Sequence, residues 1–314
     1  MIKHCKKAQI SFFIILAVAI LLALGIGITM LTTPSEKKAE KETTVKQKVP
    51  LQIQPIKDAI NNCLKLTAKE AAVKLGKQGG YLYKDQGGSA QTPTLQELGQ
   101  NYVEYDNEKT RYLIYEPEGD IGQLFFTQPP KYPWETFPYL DQNSDEQLYI
   151  GYYGLNKLPA LYRPSKDSLQ EQKETYTASN IKKCTPFDSY PAFEITAGQP
   201  NVTLYLANQA DKLQSEEAIY FEMKWSVTIR EKNTNTTTTL TDFGASLNIP
   251  LAKIYYNITA IINRDVQNIS YEPKAEGNYV ATATKLNPDS IVAVKFPSTR
   301  VDDQPYEFRF ARHT

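Results

Sequence analysis

The sequence predicts an α+β fold: an N-terminal transmembrane helix, a charged tether, then an amphipathic helix and a mainly antiparallel sheet covered by helices. Three observations carry that expectation. Residues 10–31, ISFFIILAVAILLALGIGITML, form an apolar run without a charge. Residues 56–75 place Ile56, Ile60, Cys63, Thr67, Ala71 and Leu75 at spacings of three and four, the period of one helix face. Residues 218–231 alternate with period two: Phe221, Met223, Trp225, Val227 and Ile229 stand opposite Tyr220, Glu222, Lys224, Ser226 and Thr228. That pattern is a strand with one buried face.

The N-terminus sets the topology. At about 1.5 Å per residue, the apolar run is long enough to cross roughly 30 Å of hydrocarbon. Lys3, Lys6 and Lys7 precede it with no acid among them. The positive-inside bias therefore leaves residues 1–9 in the cytoplasm and sends the rest across, with the lipid bilayer as partner through residues 10–31. A cleaved secretory signal has a shorter core and a small-residue site after it, whereas Thr32, Thr33 and Pro34 follow here, which favours a retained anchor. Lys7-Ala8-Gln9-Ile10-Ser11 also resembles the archaeal class III signal of type IV pilin-like proteins, cut before Gln9. Such precursors usually carry Glu where this chain has Phe13. Residues 32–50, of mixed charge with a proline near each end, read as an extended tether. Pro34 argues against a helix continuing from the membrane into the head domain.

Residues 51–314 read as one extracytoplasmic domain. Pro55 opens the first helix, and Gly76 ends it. Gly76, Gly79 and Gly80 follow a helix with no strand before them and no Lys-Ser/Thr pair after them, so they form a turn rather than a phosphate cradle. A Tyr/Pro-rich insertion spans about 81–164. RYLIYEP is a short strand there, and the proline-rich residues 122–140 form a ridged loop. Trp134, Phe137, Tyr139, Tyr152 and Tyr153 make a binding platform if exposed side by side, or the cover of the core if packed inward. Residues 165–183 read as a polar-faced helix leading into Cys184. AFEITAG and NVTLYLAN are strands joined by a turn at Gly198-Gln199-Pro200, and KNTNTTT turns the long strand into TLTDFGASLNI. Pro250 opens a further helix, and residues 278–283, 290–296 and 306–311 close the chain as short strands.

The chemistry is narrowed by what the chain contains. With 35 basic and 35 acidic side chains it has no electrostatic footprint for nucleic acid, which is not an expected partner. Its two histidines, His4 and His313, lie at the ends, so no interior imidazole serves a Ser-His-Asp or Cys-His arrangement or a His-based zinc site. Carboxylate chemistry is left, with Glu135, Asp141, Asp145 and Glu146 as candidates for a glycosidase pair. Residues 141–146 lack the glycine and terminal Glu of an EF-hand, and no cofactor is expected. The 21 tyrosines suit half-exposed strands, or stacking on sugars.

Of three cysteines, Cys5 lies among the cytoplasmic lysines. Cys63 and Cys184 are the pair beyond the membrane and read as one long-range disulfide; the alternative is two separate buried thiols. Four sequons, at Asn201, Asn235, Asn257 and Asn268, suggest an N-glycosylated surface protein. Asn201 and Asn235 flank strands, while Asn257 falls in a helical pattern.

Several stretches together resemble a family of single-pass membrane proteins from small-genome archaea of the DPANN group. They are Gln9-Ile10-Ser11-Phe12-Phe13, the tether, Pro55-Ile56 with Cys63-Leu64, and Leu75-Gly76-Lys77-Gln78-Gly79-Gly80-Tyr81. Further on come NIKKC, Gly198-Gln199-Pro200-Asn201-Val202-Thr203, Trp225-Ser226-Val227, Thr241-Asp242-Phe243, residues 249–255 and Tyr306-Glu307-Phe308-Arg309-Phe310-Ala311. The resemblance covers most of the chain outside residues 89–164. It implies the topology and the unity of the domain and assigns no reaction. The combined expectation is a membrane-anchored cell-surface protein with a structural or macromolecule-binding role, its partner an envelope protein or glycan. The alternatives are a pilin-like subunit processed before Gln9 and an envelope glycan hydrolase.

Overall fold

The computed structural model describes residues 50–92, 102–115, 155–206, 218–267, 271–286 and 289–313. All of them belong to one compact unit, Thr43–Thr314. The apolar run at 10–31, most of the tether, and the aromatic residues 134, 137, 139, 152 and 153 lie outside the described residues. Among those described, no helix is long and apolar enough to cross a membrane. The described residues are α+β, with three α-helices and antiparallel sheets.

Helix α1, Gln54–Lys77, starts on Pro55 and buries Ile56, Ile60, Cys63, Thr67, Ala71 and Leu75, the face that the spacing foretells. Lys74 and Lys77 sit in its last turn, where the carbonyl ends favour cations. The helix passes Gly76 by one residue. Gly79 then adopts φ +73°, and the Gly80 N–H returns to the Leu75 carbonyl at 2.8 Å, the six-to-one bond of a glycine-closed helix end. Gly76 itself is needed for close packing: a Cβ there would collide with the Glu307 carbonyl. α1 is the central element, packing on helix α2 (Leu169–Cys184) and on strands from two different sheets.

That division into two principal sheets corrects the expected single sheet. The first is built on β7, Ile219–Glu231. Strand β8, Thr237–Leu247, runs along one edge of it. Strands β5, Phe193–Ala197, and β6, Asn201–Tyr205, share the other edge end to end. The break between them falls opposite Trp225 and Ser226, where the β7–β8 register also shifts. Trp225 Nε1 donates to the Gly198 carbonyl at 3.0 Å, and the Gly198 N–H to that of Ser226 at 2.9 Å, so Gly198 bridges the gap. Phe221, Met223, Trp225, Val227 and Ile229 are all buried, as the alternation requires. Tyr220 departs from the alternation: although on the polar face, it is buried across Gly244, the one residue without a Cβ to obstruct its phenol.

The second sheet is the meander β9 (Val280–Leu286), β10 (Asp289–Val301) and β11 (Gln304–His313). Val292, Val294, Phe296, Tyr306, Phe308 and Phe310 face the main core. β10 continues beyond residue 296, because residues 297–299 bulge out around Pro297 and pairing resumes at Arg300↔Pro305. Asp302 and Asp303, at φ 49° and 61°, make the tight turn into β11. On the opposite face, Ile291 and Ala311 form a small second cluster with Tyr112, under Val103 and Tyr105. The latter two belong to β1 (Tyr102–Tyr105), which pairs with β2 (Glu108–Arg111) around Asp106-Asn107, again with positive φ.

The described parts of the insertion are integral to the core: Leu82, Tyr83, Tyr112, Leu113 and Leu161 are all buried. Strands β3 (Ile114–Tyr115) and β4 (Leu155–Asn156) pair antiparallel and bracket residues 116–154. Helix α3, Leu251–Gln267, buries Ile254, Ile258, Ile261, Ile262 and Val266 at helical spacing.

Candidate functional site

Cys63 and Cys184 form a disulfide, with Cα atoms 5.6 Å apart across a sequence separation of 121. Cys63 is on the inner face of α1, and Cys184 is the last residue of α2. Closing so long a loop stabilises the unit by about 4–5 kcal/mol on the chain-entropy estimate. It also removes both thiols as nucleophiles.

Among the described residues, grooves lie on two sides of α1. The first runs between α1 and α2 beside the disulfide, with Thr67, Glu70, Lys74, Tyr176 and Asn180 among its walls. Its polar groups largely satisfy one another. The Tyr176 hydroxyl donates to Glu70 Oε1 at 2.7 Å, and the Lys74 ammonium lies 5.9 Å from the Tyr176 ring centroid. Asn180 Nδ2 donates to the carbonyls of Gln86 and Tyr176, each at 3.0 Å, while Lys183 donates to Asn180 Oδ1 at 2.8 Å. Burial, reinforced by Glu70, pushes the Tyr176 phenol upward and keeps it protonated.

The second groove, 360 Å³ in volume, lies between the end of α1 and the β10–β11 hairpin. It is built around Arg309, which alternation along β11 puts on the sheet face away from the main core. Glu307 stands two residues earlier on that face and accepts from Arg309 Nε. Asp106 reaches in from the β1–β2 turn and accepts from Arg309 Nη2 at 3.0 Å. The guanidinium also lies 5.2 Å from the Tyr105 ring centroid. Arg309 is only 8% exposed, yet its Nη1 has no partner among the described residues. The Arg309 guanidinium, through its hydrogen bond and its charge, holds the Asp106 carboxyl below the usual carboxylate range, with help from Lys77. Lys77 and Lys295 line the same groove, and the Lys295 ammonium is 3.8 Å from Glu307. Asp302, on the lip, pairs with Lys69 at 2.5 Å.

The inner face of α2 corrects the expected polar-faced helix, because its polar side chains point inward. Ser168 caps the helix by accepting the Glu171 N–H at 3.2 Å. Gln170 donates to the Leu204 carbonyl at 2.9 Å, and Glu174 accepts the Leu204 N–H at 2.8 Å, so together they satisfy the outer edge of β6. Gln172 accepts the Leu82 N–H at 2.6 Å and donates to the carbonyls of Gly80 and Asp167 at 3.0 and 2.7 Å. Arg163 lies 2.7 Å from Glu174, whose carboxyl is nonetheless pushed up by burial. Lys173 is the exception on this face. It is fully buried, its Nζ has no partner among the described residues, and burial pushes its ammonium down to about 7.

α3 carries one buried ion pair. Arg312 Nη1 donates to both oxygens of Asp265 at 2.9 and 3.0 Å and to the Tyr271 carbonyl at 2.8 Å, while its Nε donates to Ser290. Burial pushes Asp265 up to about 6 in spite of Arg312. The geometry fastens α3 to the second sheet.

The sequons fall in different settings. Asn201, at the start of β6, and Asn235, in the β7–β8 turn at φ 57°, are exposed. Asn257 is half-buried on α3, and its Nδ2 donates to Asn278 at 3.2 Å. Asn268, the aromatic platform residues Trp134, Phe137, Tyr139, Tyr152 and Tyr153, and the acids Glu135, Asp141, Asp145 and Glu146 lie outside the described residues. Among those described, no three His, Cys, Asp or Glu side chains gather as a metal site. Arg309 escapes a reading of the sequence by composition. Its signal is the Glu-Arg pair on the polar phase of the alternating stretch Tyr306-Glu307-Phe308-Arg309-Phe310. No protein-family model matches the chain, and neither does any curated protein.

Proposed function

We propose that the chain is a membrane-anchored cell-surface protein whose disulfide-stapled domain binds an envelope macromolecule and catalyses no reaction. The Cys63–Cys184 bond carries this reading, since a lone long-range disulfide belongs to an oxidising compartment. The lysines before the apolar run support the same side of the membrane for the domain. So do the exposed Asn201 and Asn235, the two sequons best placed to carry glycans; the Asn257 amide nitrogen is already engaged. The buried ionisable groups fit a scaffold better than an acid–base pair. Glu174 serves the edge of β6, and Asp265 serves Arg312.

The test is a peptide map, without reductant, of protein taken from intact cells treated with an external protease. The expected result is a linked peptide pair joining Cys63 to Cys184, with cleavage in residues 32–50. Two freely alkylatable thiols, or a tether protected from outside, would overturn the proposal. A mature N-terminus beginning at Gln9 would reassign the anchor to pilin-like processing.

A further inference from the structure

We infer that strand β9 is an interface: its open edge pairs antiparallel with the same edge of a second copy of this chain, joining two three-stranded meanders into one six-stranded sheet. This goes beyond the surface role proposed above and does not depend on it. The first observation is how the sheet edges are treated. Gln170 and Glu174 answer the outer edge of β6 at Leu204, and Asn61 Oδ1 accepts the Gly244 N–H of β8 at 3.2 Å. On β11, the Ala311 carbonyl accepts from the Leu113 N–H at 3.3 Å. β5 is only five residues long; Pro191 and Pro200 bound it, and its Glu194 pairs with Arg230. β9 has none of these defences. Among the described residues its seven members pair with β10 alone, in unbroken register from Val280↔Lys295 to Leu286↔Asp289. It holds no proline and one charge, Lys285, so it presents a flat row of backbone donors and acceptors to which another strand can add.

The side chains specify the strand that adds. Ala281 and Ala283 turn to the main core, so Val280, Thr282, Thr284 and Leu286 share the opposite face, and all four are exposed. Val280 and Leu286 are among the few large apolar side chains left exposed in the described residues. They stand at the two ends of Val-Ala-Thr-Ala-Thr-Lys-Leu, which reads nearly the same in both directions about Ala283. Antiparallel pairing about a two-fold axis at Ala283 sets Val280 opposite the second copy's Leu286, Thr282 opposite its Thr284 and Lys285 opposite its Ala281. Both apolar side chains are then covered twice over, the threonines meet as a hydrogen-bonding pair, and no like charges face each other. An axis at Thr282 would set Leu286 against Asn278, and an axis at Thr284 would set it against Thr282. The flanks agree with the first register. On β10, Lys295 neighbours Val280 and Asp289 neighbours Leu286, so each valine–leucine pair has opposite rather than like charges on its two sides. An edge of seven residues buries less than a permanent dimer needs, so the association should be reversible, with a Kd of about 10–100 µM.

The experiment is sedimentation equilibrium of the full chain in density-matched detergent, together with cysteine cross-linking. The double variant Val280→Lys/Leu286→Lys sets lysine against lysine at both ends of the interface. Both positions are exposed, so melting should be unchanged while dimerisation weakens at least about tenfold. Cross-linking reads the same contact without that variant. Thr282→Cys and Thr284→Cys are made separately in a Cys5→Ser background and then mixed. Facing residues are within disulfide reach, whereas a residue and its own copy lie on the diagonal, about 7–8 Å apart. Oxidation of the mixture should therefore give the cross-linked dimer, and either variant alone about tenfold less. A chain still monomeric at about 300 µM would overturn the inference. So would a dimer that the lysine variant leaves intact, since association would then run through another surface. Equal cross-linking of either cysteine variant with itself would overturn the axis at Ala283, and the pairing argued from it.

Discussion

Helices α2 and α3 are nearly equal in length, and each buries one long face, but the buried chemistry is opposite. α3 presents Ile254, Ile258, Ile261 and Ile262 and adds a single charged residue, Asp265, fully answered by Arg312. α2 presents Gln170, Gln172, Lys173, Glu174 and Thr177. Their neighbours account for the difference. α2 lies along backbone: the outer edge of β6 at Leu204, and the turn at Gly80–Leu82. An edge offers N–H and C=O groups that must be paired, each costing about 1–3 kcal/mol if buried alone, and side-chain amides pair them where isoleucine cannot. A helix can therefore be polar inside because of what it covers.

Four changes test that contrast, beginning with the largest effect. Replacing Asp265 with Ala strands a buried guanidinium, and thermal or urea unfolding should show a loss of about 3–5 kcal/mol. Lys173→Met should act in the opposite direction and stabilise the domain by about 2–4 kcal/mol near pH 7, because this ammonium is buried with no partner among the described residues. The sign follows from linkage. The folded value is about 7 against an ordinary 10.5, so between those values the unfolded chain binds more protons. Parental stability should rise with pH across that window, and below it the lysine penalty is constant. The advantage of Lys173→Met should accordingly shrink from pH 7 to pH 10; a constant advantage would mean that the amine is solvated. The tyrosines cancel in the difference.

One residue away the same kind of change should reverse sign. Gln172→Leu leaves the Leu82 N–H and the Gly80 carbonyl unanswered and should cost about 2–3 kcal/mol. Ile258→Val in α3 only removes a methylene and should cost about 1 kcal/mol. Equal effects at 172 and 173 would erase the distinction between edge-covering and face-covering helices.

The legible parts of the sequence were those whose burial follows a period. α1, β7 and α3 announce themselves by spacing, and Cys63 with Cys184 by being the pair beyond the apolar run. α2 was legible as a helix but not in its orientation, because Gln170 and Glu174 are inward only by virtue of Leu204, some thirty residues on. The separation into two sheets was hidden for a similar reason: α1 contributes side chains to both, and no local pattern records that. The β1–β2 hairpin did carry a signal, Asp106-Asn107 between two short alternating runs. Of the candidate groove, Arg309 and Glu307 share the phase of β11, whereas Asp106 comes from about two hundred residues away and is brought in only by the hairpin.

The pairing of β3 with β4 has a consequence for how this protein can diversify. Ile114↔Asn156 and Tyr115↔Leu155 hold the two ends of residues 116–154 one strand spacing apart, about 4.8 Å. Chain between ends already joined in this way can change in length at little cost in loop closure, about 0.6 kcal/mol for each doubling. Length and sequence can therefore change between Tyr115 and Leu155 while the described helices and sheets stay under their own constraints.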